Sequence, residues 1–366
     1  MKVLSRSVIY DNPKPQLCSR QAMFPYLCEL PDGTILAAMQ IGEAFEAVDC
    51  TSYLSRSTDG GETWSEPVPM FDKSGDAYPR SDACKVAWTG DRLFALGQQS
   101  HRVDVNSPIG NEKTGGVLDS DVFWSESLDL GRTWSPRVVI PMDWGNHTEA
   151  TAPVTVAADG CYVSPVTNFP AWDGTLTEPL SGKLLRSADK GRTWTQSVTC
   201  MKFADPNVTC YEQRLCKLTS GTLVNMSWNE NVATGERLHN HYSFSTDNGG
   251  SFSAPLDTGV QGQASSVMAL PNERLLALHS IRRDTDRPGV YAYVVDFSQK
   301  TWNVVDEAVL WEPETPLRAA KGLANIFAFV RFGQPSAILL KDGDLLMTHW
   351  ACEDGQYKTF AARIKL

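Results

Sequence analysis

Four copies of one short segment constrain this chain more than any other feature. Ser57-Thr-Asp-Gly-Gly-Glu-Thr-Trp64, Ser127-Leu-Asp-Leu-Gly-Arg-Thr-Trp134, Ser187-Ala-Asp-Lys-Gly-Arg-Thr-Trp194 and Ser245-Thr-Asp-Asn-Gly-Gly-Ser-Phe252 share the pattern S-x-D-x-G-x-[TS]-[WF], with their first serines 70, 60 and 58 residues apart. Each reads as a hairpin turn: the Asp carboxylate accepts backbone N–H groups, the Gly supplies a positive φ, and the aromatic ring packs under a neighbouring element. A worn fifth copy falls between Asp296 and Trp302.

A second periodicity interleaves with the first. Apolar strands closed by a polar turn run over Phe24–Gly33, Asp82–Asp91, Thr151–Gly160, Glu212–Gly221, Ala264–Glu273 and Gln334–Gly343. Between them Pro, Gly, Thr and Val recur too often for helices. An all-β chain with a period near 60 and four strands per unit predicts a six-bladed β-propeller of four-stranded antiparallel blades, occupying residues 1–366 as a single domain. Val3 to Asp11 is expected to close the ring by adding a strand to the last blade.

Charge and composition narrow the function. The chain carries 33 Lys and Arg against 43 Asp and Glu, a net charge of −10, which disfavours nucleic acid and anionic membrane surfaces as partners. No run approaches the length of a membrane span, and the residues MKVLSRSVIYDNPKP show no apolar core of a secretory leader, so a cytoplasmic protein is expected. The nine Cys form no CxxC pair and the six His lack metal-site spacing, so neither a disulfide framework, a metal nor another cofactor is expected. Nothing in the sequence specifies an oligomeric state.

The turn boxes and the Leu-x-Asp-Gly hairpins resemble the Asp-box, or BNR, repeats of the sialidase superfamily of six-bladed propellers over essentially the whole chain. That resemblance implies an acid/base Asp after the first inner hairpin, three arginines that clamp a substrate carboxylate, and a Tyr nucleophile activated by a Glu. The Glu matches Glu212, nine residues before Gly221. The first arginine's place is taken by Met23, the second's by Trp228, and the Tyr's by Gln334, nine residues before Gly343. The third arginine matches Arg287, or else Arg282 or Arg283, and the acid/base Asp falls near Glu46 or Asp49.

Met and Trp cannot offer a guanidinium fork, and Gln cannot act as a phenol nucleophile. The expectation is therefore not a conventional sialidase but an exo-acting glycoside hydrolase with an oligosaccharide or glycoside substrate. The superfamily's exo-arabinanases, which use a carboxylate pair without an arginine triad, resemble it more closely in this respect. Glu149 and Glu212 are the expected pair, with Glu46 and Asp82 as further carboxylates at strand starts. Arg287, Arg214, His147, Trp228, Gln334 and Trp350 are the expected substrate contacts. Two alternatives stand beside this reading: an exo-α-sialidase, or a hydrolase or lyase of another acidic sugar, with arginines drawn from Arg20, Arg80, Arg214 or Arg331; and a non-catalytic glycan-binding propeller.

Overall fold

The computed structural model describes residues 1–314 and 330–366, and among these every regular element is a β-strand. Six antiparallel sheets follow one another along the chain as the blades of a propeller. Blade 1 holds Gln21–Glu29, Ile35–Gly42, Thr51–Ser57 and Val68–Pro69, paired in that order from the axis outward. Blade 2 repeats the plan with Arg80–Trp88, Leu93–His101, Ser120–Ser127 and Val138–Ile140. In blade 3 the inner strand is split into Thr148–Glu149 and Thr155–Val156, both paired with Tyr162–Asn168. Pro153, which has no N–H to give a ladder, lies in the gap. Blade 4 starts with Tyr211–Lys217 and Leu223–Trp228, and blade 5 with Ser265–Leu270 and Arg274–Ile281.

Blade 6 takes Phe332–Leu339, Leu345–Glu353 and Gln356–Lys365 from the end of the chain and its outer strand, Lys2–Tyr10, from the beginning, with Arg6 opposite Ala362. The two ends of the chain thus close the ring, as the N-terminal strand pattern predicts.

Blades stack face to face, so their middle strands are covered on both sides and need unbroken apolar runs rather than alternation. Ile35–Gly42 is buried at every position. Among the described residues six apolar clusters lie one at each junction between neighbouring blades, and a seventh gathers Met23, Cys50, Val330 and Trp350. Leu36 and Leu54 of blade 1 meet Val86 and Phe123 of blade 2, for example, while Leu276 and Val290 of blade 5 meet Phe332 and Met347 of blade 6.

The turn boxes lock these junctions. In the first copy Asp59 accepts the backbone N–H groups of Glu62 and Thr63 and the hydroxyls of Ser57 and Thr63. Ser57 in turn accepts the Gly61 N–H at 2.9 Å. The box glycine is needed twice over in blade 3. Gly191 has φ +90°, and a Cβ there would lie 2.6 Å from the ring of Phe94 in blade 2, closer than packed carbons tolerate. The worn copy keeps the position without the full geometry: Asp296 still accepts the Ser298 N–H, and Trp302 stacks on Tyr242 of blade 4 at 4.9 Å. All nine cysteines are unpaired, seven of them buried among these apolar side chains.

Candidate active site

The inner strands converge on the propeller axis, and four of them carry a residue of positive φ at one register. Phe24, Glu212, Ala264 and Gln334, each nine residues before its hairpin-turn residue, have φ of 57°, 46°, 55° and 43°. Three of these ladders bulge there, between Met23 and Tyr26, Tyr211 and Arg214, and Gly333 and Ser336. A left-handed conformation costs a residue with a Cβ about 1–2 kcal/mol, so it persists only where the surroundings enforce it. Three cations, Lys85 and Arg214 buried and Arg282 half-buried, provide that enforcement by capping carbonyls at the bulges. Lys85 Nζ donates to the Phe24 carbonyl at 2.5 Å, Arg214 to those of Glu212 and Gln213 at 3.3 and 3.0 Å, and Arg282 to that of Phe332 at 2.5 Å. The bulges turn the Phe24, Glu212 and Gln334 side chains toward the central cavity.

That cavity has two connected parts. A chamber of about 330 Å³ lies on the axis, and a groove of about 1040 Å³ opens beside it. Glu46, Ile109, Glu149, Glu212, Trp228 and Arg283 line both, so the carboxylates stand where the two spaces meet. Glu212 accepts hydrogen bonds on both oxygens, from Trp228 Nε1 at 2.6 Å and from the Gln334 side-chain amide. Glu149 Oε2 accepts the backbone N–H of Glu212 at 2.7 Å. Burial and the neighbouring Glu212 charge raise the Glu149 carboxyl well above the ordinary carboxyl range. Two neighbouring carboxyl groups are thus set in different environments: one held by side-chain donors on both oxygens, the other desolvated beside a like charge.

The rest of the chamber is mixed. Lys85, Gln40 and Gln98 form a polar side; burial, with Arg214 nearby, pushes the Lys85 ammonium down to about 7. The opposite side is aromatic, where Phe24, Phe45 and Trp350 meet edge to face at 5.3 to 6.0 Å over the buried Met23. Among the described residues no cluster of His, Cys, Asp or Glu is placed to hold a metal ion.

Comparison with known proteins places this geometry. The family model for a BNR repeat-like domain matches residues 33–347, which is most of the chain. The chain belongs to the BNR repeat-like family. No curated protein matches it in sequence. Among solved structures, this BNR repeat-like propeller is similar to a protein of unknown function from Dyadobacter fermentans, at 19% identity and a TM-score of 0.76 over 100% of this chain and 99% of that one. It is also similar to the Hadza microbial sialidase Hz136, at 17% identity and a TM-score of 0.64, covering 94% of this chain and 66% of the sialidase. A Trypanosoma rangeli sialidase in complex with the inhibitor DANA gives 16% identity and 0.64, over 94% of this chain and 55% of that one. These likenesses show the propeller fold.

Against that fold, the BNR repeat-like chain brings together Glu149, Glu212, Trp228 and Gln334 and sets Glu46 at their edge, its carboxylate accepting the Ile109 N–H at 3.0 Å. Trp350 lines the chamber as part of the aromatic wall and is 1% exposed. Four expected site residues have other places. Asp82 borders the chamber, but its carboxylate is spent on Thr51 Oγ1, Ser52 N and Ser52 Oγ at 2.7 to 2.9 Å between blades 1 and 2. Arg214 touches main-chain carbonyls under the bulge instead of lining the chamber. His147 lies just before the short strand Thr148–Glu149 and pairs with Asp119 at 3.0 Å, outside the lining of the chamber. Arg287 lies five residues past Arg282 in an exposed loop and pairs with Glu312 at 2.5 Å; Arg282 and Arg283 line the chamber instead. Lys85, Gln40 and Gln98 were not singled out from the sequence. The signal for Lys85 was a cation flanked by Cys84 and Val86 in the apolar half of the inner strand Arg80–Trp88.

Proposed function

We propose that this protein is an exo-acting glycoside hydrolase that removes a terminal sugar with Glu149 and Glu212. The observation that carries the reading is the contrast within the pair. Glu149, desolvated and beside a like charge, holds its proton at neutral pH and has the character of a general acid for the leaving glycosidic oxygen. Glu212, with N–H donors on both oxygens, has the character of the partner carboxylate that attacks the anomeric carbon or takes the proton of an attacking water. A chamber of about 330 Å³ lies at the small end of ligand pockets and suits a single sugar ring. The aromatic wall offers that ring a stacking surface, and Gln40, Gln98 and Lys85 offer partners for its hydroxyls.

The BNR repeat-like family, and sialidases among the structural neighbours, support glycoside chemistry. Met23, Trp228 and Gln334 at the places of the clamp arginines and the Tyr support a sugar other than sialic acid. The test is terminal-sugar release, read by mass spectrometry, from sialylated, uronic-acid and neutral furanose and pyranose oligosaccharides. Release of a neutral sugar that disappears in both Glu149→Gln and Glu212→Gln is expected. Release of sialic acid alone would refute the choice of substrate, and release that survives both substitutions would refute the mechanism.

A further inference from the structure

The groove is about three times the volume of the chamber and meets it at the carboxylate pair. Its floor carries a run of three aromatic rings. Phe169 of blade 3 stacks on Tyr211 of blade 4 with centroids 5.3 Å apart and planes 21° from parallel, and Tyr211 contacts Trp228 at 4.5 Å. All three line the groove and none is fully buried. Only Trp228 also lines the chamber, so the run leads from the open groove to the reacting carboxylates.

The facing wall is pre-built. The loop after blade 2's second strand and the loop after Asn168 clasp each other: Asn111 Nδ2 and Thr114 Oγ1 both donate to the Trp172 carbonyl at 2.8 Å, and Val117 N to the Pro170 carbonyl at 3.0 Å. Glu46 and Arg102 pin the start of the first loop through Ile109 N and the Ser107 carbonyl. A rigid wall loses little entropy when a ligand enters.

We propose that this groove is a second carbohydrate-binding site that holds the next sugar units of an oligosaccharide whose terminal unit occupies the chamber. The proposal rests on the hydrolase reading for the direction of the chain, and on the groove's own geometry for binding. Alternate apolar faces of successive sugar rings match a row of aromatic rings, while Glu230, Arg237 and Arg283 line the same groove with polar partners for hydroxyls. The groove is also coupled to the chemistry. The indole that ends the aromatic run is the one whose N–H holds Glu212, so a chain seated in the groove presses on the group that orients the carboxylate. The substrate class that follows is an oligosaccharide of three or more units rather than a simple glycoside.

The experiment titrates the intrinsic tryptophan fluorescence of the full chain with arabinotriose, xylotriose, galacturonotriose and sialyllactose, each against its terminal monosaccharide. At least one trisaccharide is expected to bind about tenfold more tightly than its monosaccharide, a gain typical of one good aromatic contact. Phe169→Ala, on a surface loop, should abolish that gain while leaving monosaccharide affinity unchanged, and Phe169→Tyr should restore it. Where the trisaccharide is turned over, Phe169→Ala should raise its KM and leave the KM of the corresponding methyl glycoside unchanged. Equal binding of trisaccharide and monosaccharide throughout, or a gain that survives Phe169→Ala, overturns the proposal. Trisaccharide binding without turnover supports the groove and removes the hydrolase reading, which keeps the two failures apart.

Discussion

The assignment of Glu149 as the acid can be tested without knowing the substrate, through the stability of Glu149→Gln. The substitution keeps the shape and an oxygen to accept the Glu212 N–H, but removes the ionisable group. In the unfolded chain a Glu carboxyl titrates near about 4.3; in the folded protein burial and the Glu212 charge raise it. Between those two values the folded state binds more protons than the unfolded one, so stability falls as pH rises. Below the unfolded value both states are protonated and the penalty is absent; above the raised value it is complete and constant. One proton difference corresponds to about 1.4 kcal/mol per pH unit, and two units to about 2.7 kcal/mol. Glu149 is half-buried where the chamber meets the groove, so solvent screening makes this an upper bound. Urea denaturation of both proteins at pH 5 and pH 7, with matching m-values, should therefore show the Gln variant gaining stability relative to wild type over that interval, by up to about 2.7 kcal/mol. That gain should accompany loss of sugar release. A stability difference that stays the same at both pH values would mean that Glu149 titrates as an ordinary carboxyl, and the acid assignment would fall with it.

Trp228→Phe keeps an aromatic ring but removes the N–H that Glu212 accepts at 2.6 Å. A hydrogen bond to a charged group contributes about 1.5–3 kcal/mol, so kcat for sugar release should fall roughly 10- to 150-fold; a loss under threefold in steady-state kinetics would refute the role given to the indole. Asp82→Asn should destabilise by about 2–4 kcal/mol, since a buried acceptor of three hydrogen bonds gains a misplaced donor, while kcat at 25 °C stays within about twofold. Lost kcat with unchanged unfolding would return Asp82 to the reacting groups. Gly191→Ala and Gly160→Ala share a left-handed backbone, but only the first would drive a Cβ against Phe94, and the second meets open space. Both should cost about 1–2 kcal/mol for the backbone, and Gly191→Ala about 1–3 kcal/mol more for overpacking. Equal denaturation midpoints would show that the box does not dock on the neighbouring blade.

Much of the architecture was written locally. The four turn boxes, the six hairpins and the N-terminal strand each depend on residues within about ten positions of one another, because Asp side chains, positive-φ glycines and apolar alternation act through near neighbours. The register of Glu212 and Gln334 was legible for the same reason: a fixed count back from a turn residue names the position at which the inner strand bulges. That register placed the two residues at one depth, and the ring of blades made them partners.

What sequence spacing could not decide is which side chain an equivalent position would meet across the axis. Glu149 gains its environment from Glu212, 63 residues away, and Gln334 reaches the same carboxylate from 122 residues away. Asp82 and His147 look like reacting groups in one dimension, yet Thr51 and Ser52 hold the carboxylate of the first at the chamber's border and Asp119 pairs with the second. Arg287 and Arg282 are five residues apart on one loop, and only closure of the strand pair beneath them sends one to solvent and the other to the chamber. The role of Lys85 was not legible because a cation between Cys84 and Val86 has a purpose only when the facing bulge leaves a carbonyl for it to cap. Local sequence determined the strands, turns and bulges of this protein; the closing of six blades on a common axis decided which carboxylates share a cavity, since desolvation and charge coupling depend on through-space neighbours that no local pattern contains.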